Sequence, residues 1–327
     1  MDRKAPPPVL FVRAAHAITS VGSTVCRRLY GDNIQMPSGR QIAREISYAH
    51  SAATRPGRFM IRLMENSTGR LRLIKRARGY EKEVAEGGDF WEIIIRRYGL
   101  TLDVIGGSLD NIPKDKPVIL IANHPYGILD GMMLGYILSK TRPDFRILAH
   151  QVFRKAEDLN KVILPISFDE TKEAMRTNLA TRKEALNYLA DGGAIGIFPG
   201  GTVSTAAKPF SHPMDPGWRG FTARMVGKSD AVVVPLFFEG HTSRLFQIAS
   251  HLHSTLRMGL LIKEFKKRVD TPVKVVVGEP IGRDVLDPLA KDSKQMMDFL
   301  RKATYDLSPK PLKSYDYGYE FEDKHRA

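Results

Sequence analysis

The chain alternates between short apolar runs bounded by turn residues and longer segments in which apolar residues recur at helical spacing. The first pattern is typical of buried strands and the second of helices that cover a sheet. The predicted strands are 101–105, 118–122, 145–149, a stretch within 159–168, 194–198, 231–237 and 273–277. The predicted helices are 40–50, 58–78, 90–98, 171–189, 245–267 and 294–306. The alternation indicates an α/β fold with a mixed, partly parallel sheet covered by helices and preceded by an N-terminal helical region.

Composition changes along the chain suggest three regions. Residues 1–80 form a basic leading region with a Pro-rich start, in which Asn66 to Gly69 is expected to divide the 58–78 segment into two helices. Residues 81–308 carry the alternating pattern and form the main domain. Residues 309–327 are polar and Tyr-rich, and we expect them to be a loosely ordered tail.

The most informative stretch is VILIANHPYGILDG, from Val118 to Gly131. Its apolar run predicts a buried strand, which ends at Asn123 and His124, and the following Pro and Gly residues predict a turn. His124 is therefore expected at the carboxyl end of a strand, where α/β folds place reactive groups. Asp130 is expected at or near the N-terminus of the next helix, where the helix dipole favours a carboxylate.

These two side chains have a catalytic and a structural interpretation. The turn can fold the Asp130 carboxylate back onto one nitrogen of His124, which fixes the ring and stabilises the imidazolium, so that the other nitrogen can take a proton from a hydroxyl. Alternatively, His124 caps the strand and Asp130 caps the helix. Spacing alone leaves both interpretations open.

A second candidate is IFPGGTVS, from Ile197 to Ser204, which follows a predicted strand. Its two glycines, Gly200 and Gly201, allow a ligand to approach the backbone closely. Successive N–H groups at such a turn can hold a phosphate or a developing oxyanion. Taken alone, a Pro-Gly-Gly sequence is most often only a turn.

Charge and cysteine content restrict the partners. The 327 residues carry a formal net charge of +14, which favours an anionic partner such as nucleic acid, an acidic membrane surface or a phosphorylated substrate. Cys26 is the only cysteine, which excludes an internal disulfide and a Cys-based zinc site. The histidines show no metal-ligand pattern, so no metal is expected.

Neither a membrane-spanning apolar run nor a signal-peptide pattern is visible, which predicts a cytoplasmic protein or one bound to the inner face of a membrane. The 58–78 segment mixes apolar residues with many Arg and Lys residues. Such a helix can lie on an anionic bilayer, or it can pack its apolar side on the main domain.

Three motifs resemble those of the glycerophospholipid acyltransferase family. The Asn-His…Asp pattern of Asn123, His124 and Asp130 resembles the first family block, with one residue more between His and Asp than is usual. This form resembles a bacterial branch that includes acyltransferases of amino-acid-containing lipids and proteins described as hemolysins. The third block is matched by Phe198, Pro199, Gly201, Thr202 and Ser204, and the fourth by Val234, Pro235 and Gly240. The resemblance covers roughly 118–240.

The resemblance implies an O-acyltransferase that moves a fatty acyl group from acyl-CoA or acyl-carrier protein to a lysolipid hydroxyl, without a cofactor. It implies that His124 is the general base and that Asp130 orients it. The other residues expected to contact substrates are Asn123, Tyr126, Gly127, Phe198, Pro199, Gly200, Gly201, Thr202, Ser204 and Pro235.

Two residues depart from the family pattern of the third block. Gly200 replaces a Glu and Val203 replaces an Arg, and both family residues are associated with holding the acceptor's glycerol phosphate. Either another cation takes over, for which the candidates are Lys208, Arg219 and Arg224, or the acceptor is a lysolipid with an amino-acid head group instead of lysophosphatidic acid.

Two other classes of function remain as alternatives. The missing Glu and Arg favour a lipid-binding protein that keeps the fold and has lost turnover, whereas the intact His–Asp pair favours an enzyme. A nucleic-acid binder is disfavoured, because the basic residues are spread over the chain and form no recognisable nucleic-acid module.

Overall fold

The structure is a computed structural model that describes residues 47–52, 54–150, 157–167 and 171–321. All of these lie within one compact unit, Ile42–Ala327. Most of the helix predicted at 40–50, the Pro-rich start and Cys26 lie outside the described residues. A short 3-10 helix at Ala49–Ser51 is the first described element.

The strands and helices follow the predicted alternation. The strands are Thr101–Gly106 (β1), Val118–Ala122 (β2), Arg146–His150 (β3), Ile163–Ile166 (β4), Ala194–Ile197 (β5), Thr205–Ala206 (β6), Pro213–Met214 (β7), Val232–Phe238 (β8) and Pro272–Val277 (β9). The α-helices are Arg55–Thr68 (α1), Arg70–Ala77 (α2), Tyr80–Ala85 (α3), Phe90–Arg97 (α4), Ile128–Thr141 (α5), Glu157–Asn160 (α6), Lys172–Ala190 (α7), Gly220–Val226 (α8), Arg244–Leu252 (α9), Ser254–Arg268 (α10), Arg283–Leu286 (α11) and Ser293–Tyr305 (α12).

In the described part of the chain, seven strands form the main sheet, in the order β1-β9-β8-β2-β5-β3-β4. All neighbouring strands run parallel except β8 and β9, which pair antiparallel. The mixed, mostly parallel sheet flanked by helices confirms the predicted fold class. Because β2 lies between β8 and β5 and all three run in the same direction, their carboxyl ends meet at one edge of the sheet.

The central strand β2 is covered on both faces of the sheet. All five of its residues are buried, and alternate residues face opposite sides of the sheet. Val118 and Leu120 pack in a core with α4 and α5, whereas Ile119 and Ile121 pack in a second core with α7, α8 and α12. A continuous apolar run is the pattern expected for a parallel strand covered on both faces.

The N-terminal helices divide as predicted. Helix α1 ends at Thr68 and α2 begins at Arg70, with Gly69 between them at φ 134°. A Cβ atom at Gly69 would meet the flexible side chain of Lys266 of α10, and the backbone conformation at this position favours glycine. Helix α1 packs against α10 through Ile61 and its neighbours, while Phe59, Met60 and Leu63 remain exposed.

The single helix predicted at 245–267 is wrong, because the segment forms two helices, α9 and α10. His253 separates them in an extended conformation at φ −164°. Its ring Nδ1 accepts a hydrogen bond from the N–H of Thr255 and so caps α10. The apolar periodicity continues across the break, which is why the sequence pattern did not reveal it.

The expectation of a loosely ordered C-terminal tail is also wrong for the described part, which ends at residue 321. The N–H of Gly318 donates to the carbonyl of Asp215, and the N–H of Tyr319 donates to the carbonyl of Thr205. The buried Arg301 of α12 donates to the carbonyl oxygens of Tyr315 and Asp316. Backbone hydrogen bonds therefore hold this polar segment, although its composition contains no strand or helix pattern.

Among the helices of the described residues, none has the length and apolar character required to cross a bilayer.

Candidate active site

The end of β2 is fixed to the neighbouring strand β8 by Asn123. Its amide nitrogen donates to the carbonyl of Phe238 at 3.0 Å, and its amide oxygen accepts from the N–H of Phe238 at 2.7 Å. Only 3% of Asn123 is exposed. Asn123, which the sequence suggested as a substrate contact, is thus placed behind the turn that carries His124, with both ends of its amide occupied.

His124 and Asp130 lie together at this edge of the sheet. The Nδ1 atom of His124 is 3.1 Å from Oδ2 of Asp130, although the ring N–H is not aligned for a linear hydrogen bond. The His124 side chain is 17% exposed and that of Asp130 is 0% exposed. Nε2 of His124 has no hydrogen-bond partner among the described residues. The buried carboxylate thus lies beside one ring nitrogen and leaves the other without a protein partner.

The turn between these two residues is held by the same carboxylate. Oδ2 of Asp130 accepts the N–H of Tyr126 at 2.6 Å and the N–H of Gly127 at 3.0 Å. Burial raises the pKa of Asp130 above its usual range, and the His124 ring and these two N–H groups act in the opposite direction. Asp130 therefore caps helix α5 and faces His124 at the same time, which combines the two interpretations of the sequence.

Tyr126 and Gly127 both lie within the turn between His124 and Asp130. The Tyr126 hydroxyl donates to the carbonyl of Glu239, and Arg268 stacks on its ring at 4.2 Å. Burial raises the pKa of Tyr126 to about 12. Gly240 lies so close to the Tyr126 hydroxyl that any side chain there would overlap it, which explains the glycine of the fourth motif. Gly127 has φ 81°, a conformation that favours glycine.

Phe198 forms the surface beside His124. It follows β5, the parallel neighbour of β2, so both residues come from adjacent strand ends. The two rings stack with their centroids 4.2 Å apart and an angle of 28° between their planes. This packing restricts rotation of the imidazole, which is already held from its other edge by Asp130.

The loop 199–204 is joined to the backbone of His124. The N–H of Ser204 donates to the carbonyl of His124 at 2.8 Å, and the N–H of Gly201 donates to the carbonyl of Phe198. Gly201 has φ 68°. The N–H groups of Gly200, Thr202 and Val203 donate to no acceptor in the described part of the chain. The loop therefore presents unused donors close to the histidine.

Pro235, expected from the sequence to contact substrate, lies inside strand β8, which continues to Phe238. It is buried beside Ile121 of β2, and its carbonyl accepts the N–H of Gly278 at 2.8 Å. The missing proline N–H is tolerated because β8 takes up its pairing with β9 only from Leu236 onward.

Asp215 is a central residue of the site that the sequence did not reveal. Its side chain is fully buried, and Oδ1 accepts from the N–H of His124 at 3.2 Å and from the Ser204 hydroxyl at 2.5 Å. Oδ2 accepts from the indole N–H of Trp218 at 2.9 Å. A Cβ atom at Gly200 would lie 3.3 Å from Cβ and Cγ of Asp215. A carboxylate from another loop thus occupies the space beside the position where the family motif has Glu.

Of the three cations suggested from the sequence, Arg219 is joined to this loop through its backbone N–H, which donates to the carbonyl of Pro199 at 3.0 Å. Arg219 pairs with Glu320 at 3.0 Å, and the side chains of Lys208 and Arg224 are exposed. The guanidinium of Arg257 on α10 also contacts the loop, and it donates to the Thr202 hydroxyl and to the carbonyl of Val203, both at 2.9 Å. Arg257 was missed because it occurs at a polar position of an amphipathic helix.

No group of three or more His, Cys, Asp or Glu side chains that could hold a metal occurs in the described portion of the chain.

Comparison with known proteins places these residues in a family context. The family model described as Acyltransferase matches residues 105–239, which include His124, Asp130 and the loop 199–204. A protein named lyso-glycine lipid O-acyltransferase from Phocaeicola vulgatus is 25% identical over 228 residues, which cover 68% of this chain and 78% of that protein. A protein of the same name from Bacteroides thetaiotaomicron is 23% identical over 228 residues, covering 68% of this chain and 80% of that protein.

Among solved structures, the crystal structure of the 1-acyl-sn-glycerophosphate acyltransferase PlsC from Thermotoga maritima aligns with a TM-score of 0.40 and 17% sequence identity. The alignment covers 68% of this chain and 83% of that one.

Proposed function

Because the chain belongs to the glycerophospholipid and lysolipid acyltransferase family, we propose that His124 and Asp130 transfer a fatty acyl group from a thioester to the hydroxyl of a lysolipid. The observation that carries the proposal is the partly exposed imidazole held 3.1 Å from a fully buried carboxylate, at the edge where three parallel strands end.

The proposed reaction needs no nucleophile from the protein. Nε2 of His124 takes the proton of the lysolipid hydroxyl while the oxygen of that hydroxyl forms the new ester bond to the acyl carbon. The carbon–sulfur bond then breaks, and the leaving thiolate takes up the proton that His124 received. Asp130 stabilises the imidazolium between these steps.

The loop 199–204 supplies candidate donors for the oxyanion of this reaction. The N–H of Gly201 is occupied by the carbonyl of Phe198, whereas those of Gly200 and Thr202 are unused in the described chain. Backbone donors that are already oriented can stabilise developing charge without reorganisation. We therefore assign the oxyanion to this loop, whose position is tied to His124 through the hydrogen bond from Ser204.

The proposed acceptor is a lysolipid with an amino-acid head group. Both curated relatives are named lyso-glycine lipid O-acyltransferases, and the Glu and Arg that the family uses for glycerol phosphate are replaced by Gly200 and Val203. Lysophosphatidic acid is the alternative acceptor. The acyl donor is acyl-CoA or acyl-carrier protein, both of which are anionic and complement the basic chain.

Free thiol release tests this function. Purified protein is expected to release thiol from acyl-CoA or acyl-carrier protein only when a lysolipid is added, with the diacylated product identified by mass spectrometry. Parallel reactions with an amino-acid lysolipid, lysophosphatidic acid and a neutral monoacylglycerol compare the acceptors. If no combination consumes the thioester, the proposal fails, and the alternative of a lipid-binding protein without turnover is favoured.

Helices α1 and α2 are the proposed contact with the inner face of the membrane. Phe59, Leu63 and Leu71 have 67%, 53% and 60% of their surface exposed. Exposed cations accompany them, among them Arg72 and Lys75. A surface that combines exposed apolar side chains with cations suits an anionic bilayer, where each cation contributes about 1 kcal/mol.

We expect the protein to sediment with vesicles that contain anionic lipid and to bind zwitterionic vesicles more weakly. The double variant Phe59→Ser/Leu63→Ser should weaken binding at least about tenfold, because each apolar side chain contributes about 1.5–3 kcal/mol when buried. The matched control is Met175→Ser/Leu179→Ser, which removes two equally exposed apolar side chains from α7. Equal losses in both variants, or binding indifferent to anionic lipid, would contradict the assignment of this face.

A further inference from the structure

Arg257 brings a buried positive charge to the loop beside the proposed active site. Only 4% of the residue is exposed. One terminal nitrogen donates to the hydroxyls of Thr205 and Ser250 at 2.6 and 3.0 Å, and the other donates to the Thr202 hydroxyl and the Val203 carbonyl. The guanidinium also lies over the rings of Phe246 and Phe321.

This charge has no carboxylate partner within ion-pair distance in the described chain. Burial accordingly lowers the pKa of Arg257 to about 9, so the side chain is still protonated at neutral pH. Burying a cation without a counter-charge costs several kcal/mol, which neutral hydroxyls compensate only in part. An anion bound nearby would therefore be stabilised by the positive electrostatic potential of the Arg257 guanidinium.

Arg142 is a second buried arginine, and its hydrogen-bond acceptors are all backbone carbonyls. It is 8% exposed, and it donates to the backbone carbonyls of Pro113, Lys116 and Gly192. A carbonyl oxygen has no hydrogen to donate, so these three acceptors pass no hydrogen bond on to a ligand. Three of the four acceptors of Arg257 are hydroxyls. Those of Thr205 and Ser250 donate to the carbonyls of Val203 and Phe246, which leaves Thr202 as the one that still has a hydrogen to donate onward among the described residues.

The Thr202 hydroxyl belongs to the loop that carries the unused backbone donors. It is half-buried, on the exposed part of the loop beside Gly201, and its oxygen already accepts from Arg257 at 2.9 Å. Its own hydrogen is donated to no acceptor among the described residues, and neither is its backbone N–H. An anionic oxygen that accepts from the Thr202 hydroxyl would lie within about 6 Å of the guanidinium, by the usual length of such bonds.

We propose that Arg257, acting through Thr202, selects acceptors that carry an anionic head group, a carboxylate or a phosphate. Arg257 is a positioning residue, since it does not touch the substrate. It supplies from helix α10 the positive charge that Val203 does not provide within the motif. Val203 itself is buried and packs with Phe246 and Leu261. The inference rests on the acyl transfer proposed above.

The test compares one acceptor in two charge states, an amino-acid lysolipid with a free carboxylate and its methyl ester. Wild-type protein is expected to prefer the acid. Arg257→Gln should lower kcat/KM for the acid by about 10–100-fold, mainly through KM, because a charge about 6 Å away in a partly buried site contributes a few kcal/mol. The rate on the ester should be little changed, and Thr202→Val should shift the preference in the same direction.

Three controls separate charge from folding. Arg257→Lys keeps the charge and should restore part of the preference for the acid. Arg142→Gln removes a buried arginine elsewhere and should leave the acid-to-ester ratio at its wild-type value. A fall of equal size on acid and ester in Arg257→Gln would overturn the proposal, since a purely structural role affects both acceptors.

A further reaction uses lysophosphatidic acid, so that a phosphate head group is compared with the carboxylate. The acceptor whose kcat/KM falls more in Arg257→Gln identifies the head group that is selected. If wild-type protein transfers no acyl group to any acceptor, the premise of acyl transfer fails. Equilibrium binding of the acid and ester lipids then tests separately whether Arg257 selects lipids with an anionic head group. A binding preference for the acid that Arg257→Gln abolishes supports the proposal, and equal binding of both lipids by wild-type protein rejects it.

Discussion

Replacing His124 with alanine is expected to abolish acyl transfer while the fold is retained. A positioned general base contributes about 10²–10⁴-fold to the rate, and no other described residue occupies the same position beside Asp130. The His124 ring packs on Phe198 but makes no hydrogen bond to the body of the protein apart from its backbone. Its removal should therefore have a small effect on stability compared with its effect on turnover.

The measurement is lysolipid-dependent thiol release, together with far-ultraviolet circular dichroism and the melting temperature. His212→Ala is the matched control, because it removes an exposed histidine outside the site and should leave the rate unchanged. Acyl transfer by the His124→Ala protein at the wild-type rate would show that another group takes the proton. A loss of activity that accompanies unfolding would be resolved by His124→Gln, which keeps more of the contact with Phe198.

The part of the site that lies in one continuous stretch could be predicted from the sequence. The strand, the turn and the helix from Val118 onward were visible because an apolar run, turn residues and an acidic residue near the helix start each leave a local signal. The turn brings His124 and Asp130 within 3.1 Å because they flank it directly. The mixed sheet followed from the same alternation of patterns.

The residues that support this stretch from a distance could not be predicted. Asp215 lies in a loop without periodicity, and its three donors come from His124, Ser204 and Trp218. Arg257 has the pattern of a solvated residue on an amphipathic helix, and it is buried only because the loop 202–206 and Phe321 cover it. The tail beyond Pro309 likewise gains its order from contacts with residues far away in the chain.

These two long-range residues explain how the departures in the third motif are accommodated. The motif lacks a carboxylate at Gly200 and a guanidinium at Val203. The fold places the carboxylate of Asp215 beside the first position and the guanidinium of Arg257 beside the second. Both charged side chains are buried. The donors of the loop that no described residue uses are the N–H groups of Gly200, Thr202 and Val203 and the Thr202 hydroxyl. The sequence departures therefore do not by themselves favour a protein without turnover.

Asp130→Asn is expected to lower kcat by about 10²–10⁴-fold with little change in the binding of the acyl donor. The geometry makes this variant a selective probe of charge. One oxygen, Oδ2, accepts both backbone N–H groups of the turn and faces Nδ1 of His124, whereas Oδ1 is buried without a partner. An asparagine can place its carbonyl oxygen where Oδ2 is and so retain the turn.

What the asparagine side chain cannot supply is the negative charge that stabilises the imidazolium. Its amide group would occupy the buried position of Oδ1 without an acceptor, which costs about 1–3 kcal/mol of stability. We therefore expect a modest fall in melting temperature and a much larger fall in kcat, while KM for the thioester is retained. Asp115→Asn, which neutralises an exposed carboxylate before β2, is the control for net charge and should behave as wild type. An Asp130→Asn protein with the wild-type turnover number would assign this carboxylate to the turn alone and leave the His124 ring oriented by Phe198.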